Sequence, residues 1–463
     1  MVEFWIYDVA FLALFVVAIS YFLKKHDKTL DKEGWMYMYR TQWAVNLINY
    51  IGTKYRKILS PLRYLIVAVG YLLMAGILYL FGLTVFKYIT DPLISEMIKA
   101  PPVAPLIPYF PQLFGMQSFF PNFYFTYFLI AIAIVAFVHE FSHGIFMKFS
   151  KIKIKSTGIV FLGPILGAFV EEDKRSFDSK GKFNRLSVLG AGVFANLVTG
   201  LIFLLLAWGL FHAAYSSNGY MMTDYASTII PTASILNITN YSESLLSINS
   251  TEGNYLWPKN TDFMQTENYT KVYLDSPAIQ KGIEGNIILF NGEKIQNRDS
   301  LYDSFDSLKP GDQLILKTVL DDGRENYYGV TLAEHPLDKE KAFLGIRGGG
   351  IDPKASLKEF SIYSLVLYLK GSAVDYQPKY SFFGFLFVLL WWVAIINFLV
   401  ALFNMLPLGI LDGGQFFYVT VLSITGSEKW AKRTYTFLGK IIFLAFIAIM
   451  AVWAWRILIL PMF

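Results

Sequence analysis

His139, Glu140 and His143 stand together in the run Val135-Ala136-Phe137-Val138-His139-Glu140-Phe141-Ser142-His143-Gly144, inside a stretch that is otherwise apolar. On a helix, positions four apart share a face, so His139 and His143 can hold one metal ion while Glu140 sits one step round, beside a bound water. The chemistry that spacing serves is metal-assisted hydrolysis, with the histidines as ligands and the glutamate as base. In lipid a buried acid costs roughly 2.5 kcal/mol or more, so Glu140 needs a partner or a task there.

A catalytic zinc takes three protein ligands and keeps a fourth position open, and two histidines leave one ligand to find. The chain has no cysteine, which excludes disulfides and thiolate ligands. His26, His212 and His335 fall in loops or at a span end, which turns attention to an intramembrane carboxylate. Asp412 fits best, because Pro407, Gly409, Gly413 and Gly414 break an apolar helix around it and leave the acid in apolar surroundings. Its plain alternative is a turn or helix-cap aspartate beside Gly413. Glu171 and Glu172 are rival ligands, but they adjoin Asp173, Lys174 and Arg175 and are expected to face cytoplasmic water. A single zinc ion would lower the pKa of its water to about 7, and Glu140 would take that proton and pass it to the leaving amine. The amides of Asn196 and Asn404 are placed to hold the substrate backbone or a developing oxyanion, although Asn196, beside the small residues Gly192, Ala195 and Gly200, also suits plain helix packing.

The elements that must carry these groups are membrane spans. Hydrophobic residues make up 55% of the 463 residues and charged ones only 16%, with a mean hydropathy of +0.44, too apolar for a soluble protein of this size. The expected class is a polytopic α-helical membrane protein with about six spans, at 3–23, 64–86, 123–147, 186–212, 381–403 and 434–456. Basic residues cluster in a few connections (Lys24 to Lys32, Lys148 to Lys155, Lys429 to Arg433), so the net charge of +5 is an orientation signal and not a nucleic-acid footprint. They place the N-terminus outside and the histidines toward the cytoplasmic side. The aromatic and basic mixture from Trp35 to Arg63 suits an interfacial helix or loop, with an exposed basic face as the alternative. Residues 152–155 alternate at period two and the apolar run from Thr157 to Val170 is broken by Gly158, Gly163, Pro164 and Gly167, which predicts a membrane-associated β-hairpin lining a cavity, or else a peripheral one. From 213 to 360 the composition is that of an external soluble region, with sequons at Asn237, Asn240, Asn249 and Asn268. Its strands near 287–295, 313–319 and 326–332 and its helix near 299–307 predict a compact α+β module. Residues 361–376 read as an amphipathic interfacial segment.

Together these motifs resemble a known family. His139 to His143, Gly167-Ala168-Phe169-Val170-Glu171, Gly192-x-x-x-Asn196, and Asn404-x-x-Pro407 with Leu411-Asp412-Gly413 look like the site-2 protease family of zinc intramembrane metalloproteases. Part of the soluble insert, about 271–350, is similar to the PDZ domains many members carry. The resemblance implies His139, His143 and Asp412 as zinc ligands and Glu140 as base. It makes the 158–170 region a strand pair whose edge, at Gly167, Ala168 and Phe169, binds unwound substrate, with Asn196 and Asn404 contacting substrate near the zinc. It divides the chain into two N-terminal spans (1–122), a first half of the protease core (123–212), the external region (213–360), a second half (361–425) and a last span (426–463). Its implied partners are the lipid bilayer, a single-span membrane protein as substrate and an upstream site-1-type protease that trims that substrate first. Two other classes compete: a zinc or other divalent metal transporter, because ionisable residues inside spans also make ion paths, and a catalytically silent PDZ-bearing scaffold.

Overall fold

The computed structural model describes residues 4–34, 36–90, 101–103, 106–116, 120–163, 165–261, 268–295, 298–320, 323–348, 374–409 and 411–456. The chain divides into two compact units, Met1–Leu210 with Phe385–Phe463, and Phe211–Gly384. The first opens with α1 (Phe4–Lys25), β1 (Asp31–Glu33), β2 (Met36–Thr41), α2 (Trp43–Lys54) and α3 (Arg56–Thr90). It continues through the single turn α4 (Phe110–Leu113), α5 (Phe125–Phe149), β3 (Ile154–Leu162), β4 (Ile165–Glu172), α6 (Lys174–Asp178) and α7 (Lys182–Ala214).

The expected β-hairpin is half of a four-stranded antiparallel sheet in the order β1-β2-β3-β4. Strand β2 comes from the segment expected to be an interfacial helix or loop; the later part of that segment, α2 and the first turns of α3, is helical. The alternation Tyr37-Met38-Tyr39-Arg40 explains this: aromatic residues favour a pleated, half-buried strand, and β3 would otherwise leave an open edge. Arg40 stands opposite Gly158 and ties the sheet crosswise, donating to Asp31 Oδ2 at 2.6 Å, to Ser156 Oγ at 2.8 Å and to Glu171. In the other pair, Gly158, Ile159 and Val160 face Phe169, Ala168 and Gly167.

The second unit comprises β5 (Tyr215–Tyr220), β6 (Ser227–Pro231), β7 (Ile235–Asn240), β8 (Leu245–Ser250), β9 (Gly253–Pro258), β10 (Tyr269–Leu274), α8 (Pro277–Lys281), β11 (Asn286–Phe290), α9 (Arg298–Asp306), β12 (Gln313–Val319), β13 (Glu325–Thr331) and β14 (Val374–Pro378). The strands at 313–319 and 325–331 and the helix lie within a residue of where the sequence puts them, whereas the run expected near 287–295 ends as a strand at Phe290, where the left-handed Asn291 and Gly292 make a turn. Its sheet runs β13-β12-β11-β5-β14, so strands from both ends of the insert extend it, and Ile287, Phe290, Leu314, Leu316 and Val330 fill its core. The five-stranded sheet β6-β10-β9-β8-β7 was not anticipated; Ile230, Ile248, Leu256, Trp257 and Val272 give it a separate core. Of the expected interfacial segment at 361–376, residues 361–373 lie outside the described residues, and the remainder begins β14.

The chain returns to the first unit through α10 (Ser381–Phe403), followed by α11 (Asp412–Thr425) and α12 (Glu428–Ala454). Among the described residues six helices, α1, α3, α5, α7, α10 and α12, are long and apolar enough to cross a membrane. The unexpected α11 begins at the Leu-Asp-Gly break and ends at Gly426, whose left-handed φ of 66° closes the helix. Ile48, Ile66, Val188, Val193, Met405 and Phe416 from α2, α3, α7, α11 and the loop before α11 pack into one buried core beside the histidine face of α5.

Candidate metal centre

Helix α5 presents His139 and His143 one turn apart on its buried face. Asp412 is the first residue of α11, after Leu411 at the cap position, so it occupies the first turn and does not cap the helix. Oδ2 of Asp412 lies 2.9 Å from Nε2 of His139 and 3.2 Å from Nε2 of His143, and the two imidazole nitrogens are 3.0 Å apart. Zinc bonds of about 2.0–2.1 Å in a tetrahedron set ligand atoms roughly 3.3 Å from one another, so the triangle has the size such an ion requires. The donor chemistry agrees. A backbone carbonyl only accepts, so Nδ1 of His143, 2.7 Å from the Val188 carbonyl, carries the proton and leaves Nε2 a bare lone pair. With Nε2 of His139 likewise unprotonated, three acceptors would converge at this distance and repel one another unless a cation lay among them. Among the described residues these three form the one group of histidine and carboxylate side chains able to share an ion.

Two close approaches make the triangle possible. A Cβ on Gly192 of α7 would fall 2.5 Å from Nε2 of His143 and 2.7 Å from Nε2 of His139; only a bare backbone lets α7 lie against the two imidazoles. At Gly413 a Cβ would meet the Met405 carbonyl carbon at 2.2 Å, and the Gly413 amide donates to the Asn404 carbonyl at 2.7 Å. The loop after α10 thereby folds onto the first turn of α11 and aims Asp412 at the histidines.

Both asparagines reach the centre. Asn404 Nδ2 is 3.5 Å from Nε2 of His139. Asn196 is fully buried, with one end of its amide 3.0 Å from Nδ1 of His139 and the other end without a partner. If Nε2 of His139 is a ligand, Nδ1 carries hydrogen and needs an acceptor, which assigns the amide oxygen to the histidine and leaves the NH2 end free.

Glu140 lies one step round α5 from His139, where its Oε2 accepts the Val170 amide of β4 at 3.1 Å. Strand β4 ends its sheet, and a cavity of about 210 Å³ lies between it and α5, lined by Ala133, Ala136, Phe137 and Glu140 on one side and Gly167, Ala168, Phe169 and Val170 on the other. The rival Glu171 is engaged by Arg40, Ser156 and Lys155 and stands apart from the triangle.

One residue escaped the sequence reading. Asp8 of α1, an acid within the span expected at 3–23, is 1% exposed. It accepts the amides of Phe125 at 2.7 Å and Thr126 at 2.9 Å, the Thr126 hydroxyl at 2.5 Å and the Tyr109 hydroxyl at 2.6 Å. The N-terminus of α5 has no cap of its own, and Asp8 supplies it from another helix. An acid within a span was the available signal; its partners were not.

A metal-competent triangle with an adjacent carboxylate, its histidines on a helix able to cross a membrane and its aspartate on a short helix packed in the same core, is the architecture of a membrane-embedded metallopeptidase. Comparison with known proteins makes the class specific: the model of peptidase family M50 matches residues 127–449. The chain belongs to that family, the site-2 protease family its motifs resemble. A Clostridium perfringens protein named "Putative zinc metalloprotease CPE1693" is 24% identical over 358 residues, 67% of this chain and 91% of that protein. An uncharacterized Methanocaldococcus jannaschii protein is 46% identical over 71 residues, 15% of this chain and 19% of that protein.

Proposed function

We propose that the protein is a zinc-dependent intramembrane endopeptidase that cuts transmembrane segments of single-span membrane proteins, in regulated intramembrane proteolysis. The observation that carries this reading is the convergence of Asp412 on His139 and His143 at 2.9 and 3.2 Å, from helices of the membrane bundle. His139, His143 and Asp412 would hold one ion. Bound there, zinc supplies a Lewis acid for the peptide carbonyl and an acidified water. Glu140 is the proton carrier: its carboxylate receives a proton from the attacking water and delivers it to the leaving amide nitrogen. The Asn196 NH2 end and the Asn404 amide donate to substrate oxygens beside the ion.

A helical peptide bond is shielded by its own hydrogen bonds, so a substrate span must unwind before it is cut, and an open strand edge offers the freed backbone new partners. The unpaired edge of β4 at Gly167, Ala168 and Phe169 runs toward Glu140, which supports a substrate strand laid along it. The exposed sequon residues Asn237, Asn240 and Asn268 suit an extracytoplasmic second unit, in which the PDZ-like segment 271–350 binds peptide. Lys148 in the last turn of α5 and Lys151, Lys153 and Lys155 after it suit a site nearer the cytoplasm. The first cut would come from a site-1-type protease.

Glu140→Gln tests the reading. Purified variant should retain zinc in the wild-type amount while cleavage of a single-span model substrate falls by about 10²-fold or more. Undiminished cleavage removes Glu140 from the reaction, and zinc flux into vesicles without cleavage would instead identify a transporter.

A further inference from the structure

Helix α3 begins with Arg56 and Lys57 in a first turn that holds no acidic residue. That end is the positive pole of the helix, where further cations are unfavourable unless an anion joins them. With Arg63 of the same helix, Ser150 and Lys151 after α5, and Asn184 in the first turn of α7, they line a cavity of about 530 Å³. No carboxylate lines it, and none of its four cations is in an ion pair among the described residues.

The cations are gathered, not scattered. The guanidinium carbons of Arg56 and Arg63 lie 4.7 and 4.9 Å from the centre of one ring, that of Phe149, so two like charges share a single aromatic residue. Arg63 is fixed by donating to Asn184 Oδ1 at 2.9 Å and to the Ser60 carbonyl at 3.3 Å. Ser150 also lines the cavity; it is 8% exposed, and its hydroxyl has no hydrogen-bond partner. A buried donor left idle beside unpaired cations is costly unless a ligand completes it. Lys151 holds a left-handed φ of 57°, an unfavourable conformation for a side chain with a Cβ.

We propose that this cavity binds a phosphate group, carried either by the headgroup of an anionic phospholipid or by a soluble phosphate. Guanidinium forks, a hydroxyl donor and two helix N-termini are the groups that recognise a tetrahedral oxyanion. The basic end of α5 is also where a span leaves the apolar layer and meets lipid headgroups. Phosphate held there ties the starts of α3 and α7 to the end of α5. Because α5 carries His139, Glu140 and His143 and α7 carries Val188 and Asn196, the ligand braces the two helices that meet at the metal centre.

The full chain, purified with its metal, is placed in nanodiscs of phosphatidylcholine alone or mixed with phosphatidylglycerol; a third sample, in phosphatidylcholine, is titrated with inorganic phosphate at constant ionic strength. Thermal unfolding and native mass spectrometry of retained lipid are read. Phosphatidylglycerol should raise the Tm of the wild type and remain bound, and the pair Arg56→Gln with Lys57→Gln should weaken the anion about tenfold or more. Both side chains are exposed, and retained zinc shows that the pair has kept its fold. Ser150→Ala, which changes no charge, should also weaken binding; an unchanged response there would mean diffuse surface charge and overturn a built site. A shift with phosphate but not with phosphatidylglycerol assigns the cavity to a soluble anion. No shift with either probe, or equal shifts in the wild type and the pair, overturns the proposal.

Discussion

Asn196 has one amide and two duties. Its sequence context, small residues a turn apart, suits helix packing, yet the side chain lies 3.0 Å from Nδ1 of His139 and leaves its other end unpartnered. An acceptor on the far nitrogen of a metal-bound imidazole fixes the ring and raises its basicity, and loss of such a partner lowers metal affinity about 10–100-fold. Asn196→Ala should show that loss in a zinc competition with a fluorescent chelator, whereas Asn196→Asp, which keeps an acceptor, should recover most of it. Equal zinc affinity in the wild type and Asn196→Ala would separate the amide from His139. Gly192 makes a stricter demand, since an added Cβ lies 2.5 Å from Nε2 of His143. Gly192→Ala should lose zinc more completely than Asn196→Ala, as read by metal analysis of the purified variant.

The element that matters most is α5, and its position is set from outside. Asp8 of α1 takes four hydrogen bonds at its N-terminus, the cavity-lining Phe149 and Ser150 stand at its other end, and Ile48 of α2 fills the space left by Gly144. Removing a buried acceptor strands several donors at once, each worth about 1–3 kcal/mol. Asp8→Ala should therefore lower stability by about 2 kcal/mol or more, seen as a fall in Tm, while Asp8→Asn, which still accepts, should cost less. A Tm unchanged by Asp8→Ala would show that α5 needs no cap from α1. The neighbouring sheet teaches a different lesson: β3 and β4 are legible as alternating segments, but the third strand, β2, comes from a run that mixes aromatic and basic residues and reads equally well as an interfacial helix.

Across the whole molecule, the metal centre joins chain positions 273 residues apart. A ligand that binds only the folded chain stabilises it, so stripping zinc with a chelator should lower the Tm of the wild type, and restoring zinc should reverse the fall. Asp412→Ala should melt at the lower temperature from the start and ignore the chelator. If that variant instead binds zinc as the wild type does, the third ligand is another residue.

Much of this protein is local and was therefore open to the sequence alone. Six apolar runs determine six helices, because helical backbone is what lipid tolerates, and the four-residue spacing of His139 and His143 puts both imidazoles on one face by helical geometry. The Leu-Asp-Gly break marks where a span stops. Asp412 stands out beside the histidines by its break in an apolar helix, but only the tertiary structure decided its distance from them and the meetings of β2 with β3, Asp8 with the start of α5, and the cations of α3 with Ser150. The physical reason is that hydropathy and periodicity report how each segment meets its solvent, while a contact such as Gly192 against two imidazoles depends on which bare backbone comes within reach, and no local pattern encodes that.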